Sequence, residues 1–298
     1  MMTPRSIPTW LEDLFPGSMA IASPLPWGFR NESWKVELAD GRRLAVTRLL
    51  DRRSAGVVPA LITAVLPRLA DVGLPVPALV GRPGPWPADV LVATFVDGEP
   101  GGALLTEPTA ARSVGSLCGT AWRQLMQIDP TGLDLPDLWA APDRLATAAR
   151  VWAGALGPEL DETDRTDLED TIALVPGLLA GRPATVVHGD LVPVNVLVRD
   201  GQLAALLDLE SIRLADPLLD AAWFDRIVWF HHPGEHPDAW AGFTRAAGLD
   251  PDEPTTRALL RVLPIIRILE IIDGLAPDAP ARALGIAQLQ AFLHAGSR

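Results

Sequence analysis

Val186-Val187-His188-Gly189-Asp190-Leu191-Val192-Pro193-Val194-Asn195-Val196-Leu197-Val198 sets three polar side chains in an otherwise apolar run, and Leu206-Leu207-Asp208-Leu209-Glu210 follows with a second run that ends in acid. Oxygen-bearing groups therefore stand at the ends of short apolar segments of strand-like composition. Asp190 lies five positions before Asn195, and Asp208 closes the next apolar run. Such a set supplies a carboxylate able to take a proton from a hydroxyl and two hard oxygen donors of the kind Mg²⁺ prefers, the parts that phosphoryl transfer requires. A buried β-hairpin whose polar residues merely cap a turn is the alternative reading.

Working outward, Trp34, Val36 and Leu38 alternate with polar residues, Asp40-Gly41 makes a tight turn, and Leu44, Val46 and Arg48 share one face of the returning strand. Residues 58 to 70 are apolar at helical spacing, shortened by Pro59 and Pro67, and Asp89 to Phe95 reads as a further buried strand broken by Asp97-Gly98. After that break, helices are expected over 109–128, 143–156, 162–179, 218–230, 238–247, 255–274 and 280–295. The pattern is α+β, with a small antiparallel lobe over 1–98 and a larger, mostly helical lobe over 99–298.

With 298 residues, 48% apolar content and mean hydropathy of +0.20, the chain can bury a large core. Residues 1–15 lack a basic segment followed by an apolar run, and the most apolar long stretch, 259–275, is interrupted by Arg261, Arg267, Glu270 and Asp273. No signal peptide or membrane span is expected, and the location implied is the cytoplasm. Cys118, the single cysteine, excludes an internal disulfide and reads as a buried thiol on a helix face. Lys35 is the only lysine among 25 basic residues. Residues 1–98 carry ten basic and nine acidic side chains, whereas 99–298 carry 15 against 28, a net of −13. A field of that sign disfavours nucleic acid and anionic membrane as partners and favours a cationic small molecule, although the cluster Glu159 to Asp170 also fits a solvated helix face.

At His188-Gly189-Asp190, Asn195 and Asp208 the chain resembles the aminoglycoside phosphotransferase and choline kinase family, and the resemblance extends over most of its length. What it implies is a bilobal fold like that of protein kinases. It further implies that Asp190 accepts the proton of the substrate hydroxyl, that His188 orients the loop, and that Asn195 and Asp208 hold Mg²⁺ beneath ATP or GTP. Glu210 would either assist a second metal or cap the next turn. Arg48, two residues after Val46, would grip the phosphates, with Lys35 a substitute one strand earlier; the helix over 58–70 contains no carboxylate to pair with either. Backbone groups of Thr94 and Val96 would read the base. Phosphate contacts would come from backbone N–H groups near Asn31 to Ser33 and from the Ser33 hydroxyl, behind a loop whose one glycine is Gly28.

Beyond the metal strand, Asp216 is an N-cap candidate for a helix carrying Trp223 and Asp225, where indoles and carboxylates together would suit a cation. The run His231-His232-Pro233-Gly234-Glu235-His236 reads as a surface turn rather than a metal site. Glu270 and Asp273 share a helix face, either as partners of Arg267 or as substrate contacts. The activity implied is a small-molecule O-phosphotransferase acting on a cationic antibiotic such as an aminoglycoside or basic cyclic peptide. Choline, amino-alcohol, sugar or macrolide kinase activity, and a non-catalytic nucleotide-binding regulator, are the alternatives.

Overall fold

The computed structural model describes residues 7–25, 31–49, 58–80 and 89–295. A four-stranded antiparallel sheet in the order β1 (Met19–Pro24), β2 (Asn31–Leu38), β3 (Arg43–Leu49), β4 (Val90–Thr94) forms the first lobe. The Asp40-Gly41 turn falls where expected, with Gly41 at φ +85° and its N–H bonded to the Leu38 carbonyl. Alternation along the strands creates two unlike faces. On one, Trp34, Val36, Leu38, Leu44, Val46, Val90 and Val92 cluster with Leu11 and Phe15, on and beside a short helix α1 (Thr9–Leu14). On the other, Leu49 joins the core that runs through α2 (Val58–Asp71) into the larger lobe. Neither α1 nor β1 was legible in the pattern, since α1 is six residues long and β1 is a largely exposed edge.

The second lobe contains α3 (Pro108–Leu125), α4 (Pro142–Ala155), α5 (Glu162–Leu179), α6 (Leu218–His231), α7 (His236–Ala247), α8 (Pro254–Asp273) and α9 (Pro280–His294). Several start one or two residues before the expected positions, because proline in the first turn has no N–H to lose and is already set at a helical φ. Two small sheets complete the lobe: β5 (Glu99–Pro100), β7 (Val196–Arg199) and β8 (Gln202–Leu206) lie side by side, and β6 (Thr185–Val187) pairs with β9 (Arg213–Ala215). The fold is thus a bilobal α+β structure.

Helices α3 and α7 meet at glycines. A Cβ on Gly115 would lie 1.9 Å from the Ala239 carbonyl oxygen, and one on Gly242 would lie 2.1 Å from that of Arg112. Backbones approach closely there only because both positions lack a side chain. Cys118 is fully buried on α3, where burial raises its thiol pKa far above the ordinary value and leaves it inert, as expected. Among the described residues no helix is long and apolar enough to cross a membrane.

Candidate active site

β6 delivers the chain into the loop His188-Gly189-Asp190, which is shaped by the buried carboxylate of Asp220 on α6. Its two oxygens accept the His188 N–H at 2.7 Å and the Gly189 N–H at 2.8 Å. Burial pushes the Asp220 carboxyl up, and the hydrogen bonds from the two N–H groups pull the other way. Gly189 has φ +77°, and a Cβ there would stand 2.3 Å from the Ser211 carbonyl oxygen, so only glycine fits between the two functional letters. The His188 Nε2 lies 2.7 Å from the Leu207 carbonyl, and its Nδ1 accepts the Asp190 N–H at 3.2 Å. Those partners fix a neutral imidazole that donates from Nε2 and accepts at Nδ1. His188 accordingly bridges the Asp190 loop and the residue before Asp208.

Asp190 has both carboxylate oxygens engaged. Trp223 Nε1 donates to Oδ1 at 2.7 Å, and Asn195 Nδ2 donates to Oδ2 at 3.1 Å and to the Asp190 main-chain oxygen at 2.9 Å. With its nitrogen committed, Asn195 has only Oδ1 to offer a cation. The Leu207 N–H bonds to the Asn195 carbonyl at 2.8 Å, which brings Asp208 alongside. Asp208 adopts the left-handed conformation (φ 55°, ψ 51°), uncommon for a residue with a side chain. Its carboxylate is open to the cleft yet closely walled by protein; that burial, with Glu210 and Asp190 nearby, pushes it up to about 7. A carboxylate crowded by two others is stabilised by a cation.

Among the described residues no three His, Cys, Asp or Glu side chains gather closely enough to hold an ion by themselves. One carboxylate and one amide oxygen nonetheless fit Mg²⁺, which keeps several waters and takes phosphate oxygens as its remaining ligands. Glu210 accepts a hydrogen bond from Asn31 Nδ2 at 2.7 Å, joining β2 to the loop after Asp208 and showing which sheet face looks into the cleft.

That facing corrects the expectation for Arg48. Arg48 pairs in register with Glu32 and Val90, lies over the Trp10 ring of α1 at 5.5 Å and bonds Asp89 at 3.1 Å. It belongs to the α1 side, one residue out of phase with Asn31, Ser33 and Lys35. The strand position that does face the cleft is Thr47, whose hydroxyl sits 3.0 Å from that of Ser33. Lys35 shares this face, with its ammonium 3.1 Å from Glu37 and 4.8 Å above the Phe95 ring. Thr94 ends β4, its hydroxyl accepting the Ala78 N–H, and Val96 follows two residues on. Gly28 and its neighbours 26–30 lie outside the described residues.

Glu270 also departs from its expected role in binding substrate. Arg213 Nη1 reaches both its oxygens at 2.7 and 2.8 Å, Arg267 Nη1 one of them at 2.5 Å, and Trp139 Nε1 donates at 3.2 Å. Burial disfavours its charge, but the two arginines outweigh that and hold it down at about 2. The carboxylate is therefore consumed by structure, the first of the two roles its sequence allowed. Asp225 is bound by His236 at 2.7 Å, with Arg226 at 3.7 Å, and Asp273 is exposed at the end of α8. Asp216 caps the entry to α6 through the Leu218 N–H at 2.9 Å and pairs with Arg182. Glu159, Glu162, Glu169 and Asp170 are solvent-facing, whereas Asp164 is buried against Gln290 and His294.

Three participants escaped sequence reasoning. Asp220 stands four residues after Asp216 in Asp216-Pro217-Leu218-Leu219-Asp220, so the pair was visible but the brace fell to the second acid. Trp223 was visible only as an indole near Asp225, and Arg213 carried no signal at all.

A bilobal fold with carboxylate and amide oxygens gathered in its cleft fits a phosphoryl-transferring class of protein. Residues 21–259 match the model of the phosphotransferase enzyme family, and the chain belongs to that family. Membership makes it a phosphotransferase. No curated protein matches the chain. Among solved structures, the GDP and kanamycin complex of the aminoglycoside phosphotransferase APH(2'')-IIIa is similar at TM-score 0.72 and 17% identity, covering 95% of this chain and 97% of that one. The ADP and hygromycin B complex of a thermostable APH(4)-Ia mutant is similar at TM-score 0.71 and 15% identity, covering 99% and 100%. An aminoglycoside-3'-phosphotransferase of type VIII shares 24% identity at TM-score 0.63 over 87% and 95%. At these identities the likeness is one of fold.

Proposed function

We propose that this protein transfers the γ-phosphoryl group of ATP or GTP to a hydroxyl of a small molecule in the cytosol, and that a cationic antibiotic, aminoglycoside or basic cyclic peptide, is its acceptor. The observation that carries the transfer is the Asp190 carboxylate, held at both oxygens beside Asn195 and within the field of Asp208. In this reading Asp190 accepts the acceptor's hydroxyl proton as the new O–P bond forms and the bond between the γ-phosphorus and the β–γ bridging oxygen breaks, leaving the nucleoside diphosphate. Asn195 Oδ1 and Asp208 would hold Mg²⁺, which when bound neutralises phosphate charge. Ser33 and Thr47 face the phosphates, and Thr94 and Val96 offer backbone groups to the base. The lobe boundary at residue 98 belongs to the same reading, since Glu99 is the first residue paired into the sheet of β7.

Support for a cationic acceptor comes from the net −13 of residues 99–298 and from neighbours crystallised with kanamycin and hygromycin B. A neutral acceptor, a sugar or a macrolide, is favoured by a different observation: Glu270 and Asp225 already carry cationic or imidazole partners. A mass-spectrometric search for a gain of ~80 Da across aminoglycosides, basic peptides, macrolides, sugars and amino alcohols, with Mg²⁺ and each nucleotide, decides between them. Asp190→Ala should lower kcat on the order of 10²-fold or more while nucleotide still binds. Activity within threefold of the wild type would remove Asp190 from the mechanism.

A further inference from the structure

We infer that Trp223 is a positioning residue, whose indole N–H fixes the rotation of the Asp190 carboxylate about its Cβ–Cγ bond. This rests on the role proposed for Asp190 above. Rotation about that bond is broad and roughly two-fold in side chains of this type, so one hydrogen bond leaves the carboxylate free to swing. Asn195 secures Oδ2, and Trp223 secures Oδ1 at 2.7 Å from the opposite element, α6. Each oxygen keeps a second lone pair, so holding the group at both ends does not block an incoming hydroxyl. An indole suits the task chemically because it donates only and can never take the proton that Asp190 must receive.

The indole is itself held. It is 3% exposed, meets Phe292 edge to face at 6.4 Å, and lies beneath the Arg267 guanidinium at 6.0 Å. The same guanidinium donates from Nε to the Gly189 carbonyl at 3.0 Å, the peptide immediately before Asp190. Arg267, itself anchored by Glu270, thus fixes both the backbone that carries the carboxylate and the ring that orients it. No separate adjustment of one against the other is needed.

The test uses two variants of the whole chain. Trp223→Phe keeps a flat ring against Phe292 and Arg267 and removes the N–H; Trp223→His keeps a five-membered ring with an Nε2–H where the indole Nε1–H stood. With an acceptor found by the mass screen, Trp223→Phe should lower kcat about 10- to 100-fold with nucleotide KM nearly unchanged, the scale of a misdirected reacting group. Trp223→His should recover much of the loss.

Independently of turnover, the indole N–H resonance that disappears in the ¹H–¹⁵N spectrum of Trp223→Phe should shift in Asp190→Ala. Wild-type kcat in Trp223→Phe, or an indole resonance indifferent to Asp190→Ala, overturns the inference. No recovery in Trp223→His, with both variants destabilised, makes the ring a packing element and overturns it too. A wild-type chain that phosphorylates nothing is a failure of the proposed function, read without any variant.

Discussion

Glu270→Gln tests whether the acid on α8 is a strut or a substrate contact. The carboxylate sits at about 2 against an ordinary 4.5. At about 1.4 kcal/mol per pKa unit, that gap corresponds to roughly 3 kcal/mol of favourable interaction with its surroundings. The side chain is 23% exposed and shared by two arginines, which brings the expected cost of Gln to about 2–3 kcal/mol. For a chain of this size, that is a fall in Tm of about 5–10 °C by calorimetry at neutral pH. The sign with pH follows from the depressed value. The stabilisation is full above about 4.5 and drains away as pH falls toward 2, so the gap between wild type and variant should stay level from pH 8 to 5 and narrow below about 4.5. An unchanged Tm together with an acceptor KM that rises at low salt would refute the reasoning and return Glu270 to the substrate pocket.

Asp208→Asn should raise the Mg²⁺ concentration needed for half-maximal rate, because it removes the carboxylate that neighbouring acids make most receptive to a cation; an unchanged metal titration would point to Glu210 instead. Arg48→Ala should change nucleotide KM less than about twofold, at the cost expected of an exposed ion pair, ~1 kcal/mol or less. A tenfold rise would mean that the strand presents its other face to the phosphates. Gly189→Ala should remove nearly all turnover and lower Tm, since the new methyl meets the Ser211 carbonyl; an active, stable variant would show that the loop can move aside.

The fold was legible where periodicity had length to act on: the β2–β3 turn, the strand ending at Thr94 and every long helix followed from apolar spacing and punctuation. Short elements such as α1 carried too few turns to register. In the site, His188, Asp190, Asn195 and Asp208 are local in sequence, and the structure brings them together. What failed was facing and pairing. Arg48 was placed by its distance from Val46, but two residues along a strand return to the same face, and Val46 packs on α1. Glu270 read as a candidate ligand because its two neutralising arginines lie three residues behind it in one case and 57 in the other. The Trp223 contact spans 33 residues and depends on how α6 crosses the loop, which no local pattern encodes.

Lys35, the one lysine in the chain, is 29% exposed on the sheet face that looks into the cleft, above the Phe95 ring that follows the last strand before the lobe boundary. Amine-directed reagents therefore have a single side-chain target in the whole molecule, apart from the terminal amine. A fluorophore or isotopic acetyl group placed there becomes a site-specific reporter without any engineered cysteine or cleaned-up background. Protection of that one amine by ADP or GDP would read out nucleotide occupancy directly, before any acceptor is known.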